Sequence, residues 1–132
     1  MNRNRVVLAD DHPDVLREIR ELLTPDFQVL GAATDGVELI HAARACGPDV
    51  VISDIRMPRL NGLEACRRIL QERLSSAAII LTMYDDRTLL HQAIDAGIQG
   101  FVLKVDAGGE LIPALRSVLS GAAYFSSGVR RR

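Results

Sequence analysis

Apolar residues gather into five short runs along the chain, at positions 6–9, 27–33, 50–53, 77–81 and 100–103. The runs are rich in Val, Ile and Leu, and four show little polar alternation, the pattern of strands covered on both faces in a parallel sheet. Between them the apolar positions recur with helical period. Val15, Ile19, Leu22 and Leu23 form the first stripe, with Pro13 at the first helical position, where its missing N–H does no harm. Val37, Ile40 and Ala43 mark a second helix that Gly47-Pro48 terminates, and Leu63, Cys66, Ile69 and Leu70 mark a third. Leu89, Leu90, Ala93 and Ile94 form a fourth stripe closed by Gly97. Leu111, Ile112, Leu115, Val118 and Leu119 form a fifth closed by Gly121, with Pro113 expected near its start. Strand and helix thus alternate five times. This predicts an α/β fold, a flavodoxin-like (βα)5 doubly wound parallel five-stranded sheet in the order 2-1-3-4-5 with right-handed crossovers. An eight-fold barrel would need nearly twice the length.

Composition narrows the class further. With 132 residues, 48% hydrophobic, 25% charged and a net charge of −1, the chain fits one ordered domain and lacks a concentrated basic face for nucleic acid. Arg130, Arg131 and Arg132 read as a tail. Cys46 and Cys66 each fall within a predicted helix, form no metal-ligand pair and read as two buried thiols. Four apolar residues after Arg5 are too few for a secretory signal, and no apolar stretch approaches the roughly 18 residues of a membrane span. A cytoplasmic location with no membrane contact is expected.

The candidate chemistry lies where the strands end. In a parallel sheet all strands finish at one edge, and ligands bind there. The first strand runs into Asp10-Asp11, the third into Asp54, the fourth into Thr82 and the fifth into Lys104. Each has a plain alternative: Asp11 and Asp14 could serve the helix dipole, Asp54 a turn, Thr82 a loop, Lys104 a solvated surface. Their joint occurrence at four strand ends favours a single site. Three gathered carboxylates call for a cation, and hard oxygen ligands suit Mg²⁺ or Mn²⁺. A carboxylate can also act as a nucleophile and form an aspartyl phosphate, with a metal and a lysine neutralising the charge. Asp54 stands alone on a central strand and is the best nucleophile; Asp10 and Asp11 suit the metal.

With these residues in place, positions 5–122 closely resemble the receiver domains of two-component response regulators. The motifs are Val6-Val7-Leu8-Ala9-Asp10-Asp11-His12-Pro13, Asp54-Ile55-Arg56-Met57-Pro58-Arg59-Leu60-Asn61-Gly62, Leu81-Thr82 and Phe101-Val102-Leu103-Lys104. The resemblance implies Asp54 as phosphoacceptor and Asp10, Asp11, Asp54 and the Arg56 main-chain carbonyl as Mg²⁺ ligands. It implies Lys104 and Thr82 as phosphoryl-binding groups, Thr82 and Phe101 as switch residues, and a sensor histidine kinase as phosphodonor. Such a domain catalyses only its own Mg²⁺-dependent phosphorylation and dephosphorylation. The opening Ala-Asp-Asp-His-Pro, Lys104-Val105-Asp106-Ala107 and Gly121-Ala122-Ala123-Tyr124-Phe125-Ser126 resemble the NarL/LuxR-type subfamily. In that subfamily a linker leads to a helix-turn-helix domain that binds promoter DNA, and phosphorylation promotes homodimerisation. On this reading 1–122 is the receiver and 123–132 the start of a linker to a DNA-binding domain absent from this chain. The chain is then a piece of a longer regulator, a solitary receiver being the alternative.

Some positions depart from the family pattern. Val105 stands where many receivers have Pro after the lysine, Met83 is bulkier than the small residue frequent after the hydroxyl, and Arg56 and Tyr84 flank the approach of water. A phosphohydrolase is disfavoured because haloacid-dehalogenase-type enzymes resemble Asp-x-Asp at the nucleophile, where this chain has Asp54-Ile55-Arg56. A partner-binding pseudo-receiver is disfavoured by the complete residue set, and the glycine-rich nucleotide loops are absent. His12, His41 and His91 are scattered, and His12 reads as a residue opening the first helix.

Overall fold

The computed structural model describes residues 3–130. In chain order the elements are β1 (Arg5–Ala9), α1 (Pro13–Leu23), β2 (Gln28–Ala33), α2 (Gly36–Cys46), β3 (Val50–Ser53) and α3 (Gly62–Gln71). β4 (Ala77–Thr82), α4 (Arg87–Asp95), β5 (Gly100–Leu103), α5 (Ala107–Leu119), β6 (Tyr124–Phe125) and α6 (Ser127–Arg130) follow, with a single 3₁₀ turn, Lys104–Asp106, between β5 and α5. The sheet is parallel throughout, in the order β2-β1-β3-β4-β5-β6. The doubly wound architecture and the order of its first five strands match the sequence reading. The sixth strand corrects it. Two residues, Tyr124 and Phe125, pair with Gly100 and Phe101 in the region expected to begin a linker.

Alternate residues of each strand face opposite sides of a sheet, and here both sides are covered. Val7, Val51, Ala78, Ile80 and Phe101 pack against Leu39, Ala43, Cys66, Ile69 and Leu90 of α2, α3 and α4. Val6, Leu8, Ile52, Ile79 and Val102 pack against Ile19, Leu23, Leu111, Leu115 and Val118 of α1 and α5. That two-sided burial is why the strand runs lack polar alternation.

Helix ends follow their signals. Pro13 opens α1 after His12, Asp35 caps α2 by accepting from Glu38 N, and Gly47 closes α2 in the left-handed region at φ 57°. Asn61 caps α3 through Glu64 N, and Asp86 caps α4 through Thr88 N and Leu89 N. α5 begins at Ala107, so Pro113 lies in its second turn and not near its start. There it removes the amide that would bond to the Gly109 carbonyl. Cys66 is buried, whereas Cys46 is only partly so. Arg130 is no loose tail: it donates to the Phe125 carbonyl and Ser127 Oγ. Arg131 and Arg132 lie outside the described residues. Among those described, no helix is long and apolar enough to cross a membrane.

Candidate functional site

The sheet ladder itself brings the strand ends together. Asp10 N donates to Ala33 O and Asp54 N to Ala9 O, each at 3.0 Å, so the two aspartates leave adjacent strands side by side. Lys104, just past β5, reaches across with Nζ 2.8 Å from Asp10 Oδ2 and 3.0 Å from Asp54 Oδ2. Asp10 is 1% exposed and the side chains of Asp54 and Lys104 are 12% and 17% exposed. Burial works against the lysine's charge, but the hydrogen bonds it donates to Asp10 and Asp54, with their negative charge, outweigh it and hold the ammonium above the usual lysine range.

The other carboxylate oxygens are held by main chain. Asp54 Oδ1 accepts from Ile55 N at 2.7 Å and Asp10 Oδ1 from His12 N at 2.9 Å. Behind Asp54, Ser53 Oγ donates to the Asp54 carbonyl at 2.7 Å, and Gly62 N donates to Ile55 O at 2.8 Å. A Cβ on Gly62 would overlap the Asp54 carbonyl oxygen, which explains why glycine opens α3. The loop 54–61 is pinned at its far end. Arg59, in the left-handed region at φ 64°, donates to Asp35 Oδ2 from Nε at 2.9 Å, and Gly36 N donates to Leu60 O at 2.9 Å. Asp35 lies below the usual carboxylate range, first because of the Glu38 amide and, against some burial, because of Arg59.

The cluster suits a cation. One oxygen each from Asp10, Asp11 and Asp54 and a ring nitrogen of His12 all lie within 4.8 Å of one another. Asp11 Oδ1 is buried with no hydrogen-bond partner among the described residues; His12 Nδ1 lies 3.0 Å away and meets Asp10 Oδ1 at 3.1 Å. A buried carboxylate oxygen is costly without a donor or an ion, and this donor set is that of a hard divalent metal.

A cleft of about 160 Å³ opens onto the cluster, lined by Asp11, His12, Asp54, Arg56, Met83, Tyr84 and Lys104. Its outer wall is built by the Arg56 guanidinium lying 4.5 Å over the Tyr84 ring. Thr82 is the last residue of β4, on the same edge as the aspartates and buried, and its Oγ1 accepts from Tyr84 N at 3.2 Å. Phe101 is buried within β5. A groove of about 630 Å³ beside the cleft shares Met83 and Lys104 with it and runs along Val15, Ile19 and Leu22 of α1 and Ala107 of α5.

Sequence reasoning named the three clustered aspartates, Asp10, Asp11 and Asp54, together with Lys104 and Thr82. It missed His12 as a ring nitrogen beside the carboxylates, although its place next to Asp10-Asp11 was a usable signal. It also missed the Arg59–Asp35 pair, for which two distant polar residues left no pattern.

A flavodoxin-like parallel sheet bearing a lysine-bridged acidic pocket at its carboxyl edge defines the class. The response regulator receiver domain model matches residues 6–116, and the chain belongs to that family. It is 37% identical over 129 residues to the transcriptional regulatory protein YxjL of Bacillus subtilis and 35% identical over 129 residues to the response regulator UvrY of Escherichia coli. Those alignments cover 95% and 96% of this chain but 59% of each relative, so the chain spans well under two thirds of their length. A LuxR-family two-component response regulator from Aurantimonas superposes with a TM-score of 0.91 at 31% identity, over 98% of this chain and 94% of that one. The likeness to LuxR-type regulators drawn from the termini of the motif set is thereby supported across the whole fold.

Proposed function

We propose that this domain is a phosphorylation-activated switch in which Asp54 takes a phosphoryl group from a sensor histidine kinase. The observation that carries the reading is the Lys104 ammonium bridging Asp10 and Asp54 beside the buried, donorless Asp11 Oδ1. An Asp54 carboxylate oxygen attacks phosphorus, the P–N bond of the phosphohistidine breaks, and its electron pair leaves with the imidazole, which takes up a proton. Asp10, Asp11, Asp54 and the Arg56 main-chain carbonyl would hold Mg²⁺ or Mn²⁺. When bound, the cation supplies charge neutralisation for the transferring group. Lys104 pairs with a phosphoryl oxygen, and Thr82 donates to another. The same site also serves hydrolysis of the acyl phosphate: water attacks phosphorus, the bond from phosphorus to the Asp54 oxygen breaks and the carboxylate leaves, with Arg56 and Tyr84 lining the path of the water. The groove along α1 is apolar enough to seat a kinase helix beside the cleft.

Phosphorylation adds about −1.5 to −2 charge. Hydrogen bonds to charged groups contribute roughly 1.5–3 kcal/mol each, so two new ones give about 3–6. Moving a two-state equilibrium from 1:99 to 99:1 needs about 5.5 kcal/mol. Lys104 already holds two carboxylates, so phosphorylation exchanges its partner and adds little there. Most of the bias must come from Thr82, which now only accepts from Tyr84 N, and from Phe101 turning beneath it. The switch is therefore incomplete on its own, and homodimerisation or an output domain completes it. That output is a promoter-binding helix-turn-helix domain, in a cytoplasmic regulator of transcription.

The test is incubation with a small phosphodonor and Mg²⁺. One hydroxylamine-labile phosphate per chain, abolished in Asp54→Asn, is expected. Multiple turnovers without stable label would mark a hydrolase, and label that survives Asp54→Asn would sink the assignment.

A further inference from the structure

The short turn that sends Lys104 into the acidic pocket also holds the end of the chain. Lys104 begins the 3₁₀ turn and Asp106 ends it. Asp106 Oδ2 accepts from Ser126 Oγ at 2.7 Å and from Gly128 N at 3.0 Å. Immediately before the turn, Leu103 N donates to the same Ser126 hydroxyl at 3.0 Å, and Ser126 is wholly buried. A side chain on Gly128 would strike Leu103 and Asp106. A second anchor comes from the other loop of the site. Arg87, the first residue of α4, ends the loop that starts at Thr82, and it donates to the Val129 carbonyl at 2.6 Å. Val129 itself is buried.

We propose that residues 124–130 form a two-point clasp that reads the state of the acidic site and loosens when Asp54 is phosphorylated. This rests on the reading of Asp54 as phosphoacceptor. A phosphoryl group would stand where Lys104 now meets the carboxylate, and it would draw in the Thr82 hydroxyl that now accepts from Tyr84 N. The turn carrying Asp106 and the loop carrying Arg87 then shift relative to each other. α6 is four residues long and is tied to both, so it cannot follow the two movements at once. Any segment joined after Arg132 is attached through this clasp.

Every amide from 126 to 130 is hydrogen-bonded here, to Phe101 O, Glu110, Asp106 or Ser126 O, so amide hydrogen exchange reads the clasp directly. The 132-residue chain is compared with and without beryllofluoride and Mg²⁺, while ¹⁹F NMR reports whether beryllofluoride is bound. With it bound, exchange at 126–130 should accelerate at least tenfold while the α2 amides keep their protection. In Arg87→Ala the same amides should already exchange fast without ligand, again with α2 protected. Bound beryllofluoride with unchanged exchange at 126–130, or an Arg87→Ala chain exchanging like the parent, overturns the clasp. Absence of any bound ¹⁹F signal overturns the phosphoacceptor reading, and the clasp falls with it.

Discussion

Gly62 shows how tightly single residues define the site. Its Cα faces the Asp54 carbonyl and Ser53 Oγ with no room for a Cβ, and backbone does not yield as a flexible side chain can. Gly62→Ala is expected to destabilise the domain by about 1–3 kcal/mol, the usual cost of overpacking; a urea midpoint equal to the parent's would show that the α3 start is free to move. The two cysteines offer a second test at this scale. Burial pushes the Cys66 thiol up to about 12, so it should resist a thiol reagent until the protein unfolds, while the partly exposed Cys46 reacts in the native state. Two equally fast native thiols would contradict the packing of α3. Asp10, Asp11, Asp54 and Lys104 were legible in the sequence because strand ends of a parallel sheet share one edge. Asp106 and Ser126 were not, because their bond joins two loops at a distance that no periodicity encodes.

At the scale of elements, α3 is the helix whose start frames Asp54, and its first turn is reinforced by charge. Glu64 N bonds to the Asn61 cap, and the Glu64 carboxylate takes hydrogen bonds from Arg67 and Arg68. Those bonds bring its pKa down to about 2 from 4.5. The folded state thus binds the proton more weakly than the unfolded chain. The stabilisation is complete above about pH 4.5 and is lost as pH falls toward 2. Each pair is surface-exposed and is worth only about 0.3–0.5 kcal/mol. Glu64→Gln should therefore cost under about 1 kcal/mol at pH 7, and the difference from the parent should shrink steadily as pH falls from 4.5 toward 2; a difference that does not shrink would assign the effect to packing. Helices of this kind were readable from stripes and caps. The boundaries of α5 were less so: its first turn, Ala107-Gly108-Gly109, carries no apolar stripe, so the stripe starts only at Leu111 and puts Pro113 close to the expected start. β6 was unreadable, since two residues are too few to show a period of two.

For the whole molecule, five alternating units favoured the order of the first five strands, whereas nothing in that alternation marks where the domain ends. We propose that the receiver reaches past residue 122, and removal of 123–132 tests this against a boundary at 122. The full chain buries Val129 and satisfies the buried Leu103 amide through Ser126 Oγ. Losing the burial of a valine side chain forfeits about 1.5 kcal/mol or more, and a buried amide that loses its partner costs roughly 1–3 kcal/mol, less where water reaches it. The shortened chain still keeps β1–β5 and both helical layers. It should therefore fold, with a stability lower by about 2–3 kcal/mol in urea denaturation and a smaller m-value, since less surface is exposed on unfolding. If the shortened and full chains share one midpoint, 123–132 is linker in energetic terms and the domain ends at 122. If the shortened chain is weakened as expected, the final strand and helical turn belong to the cooperative unit. A perturbation at Lys104 then reaches the end of the chain through folded structure, not through a flexible tether.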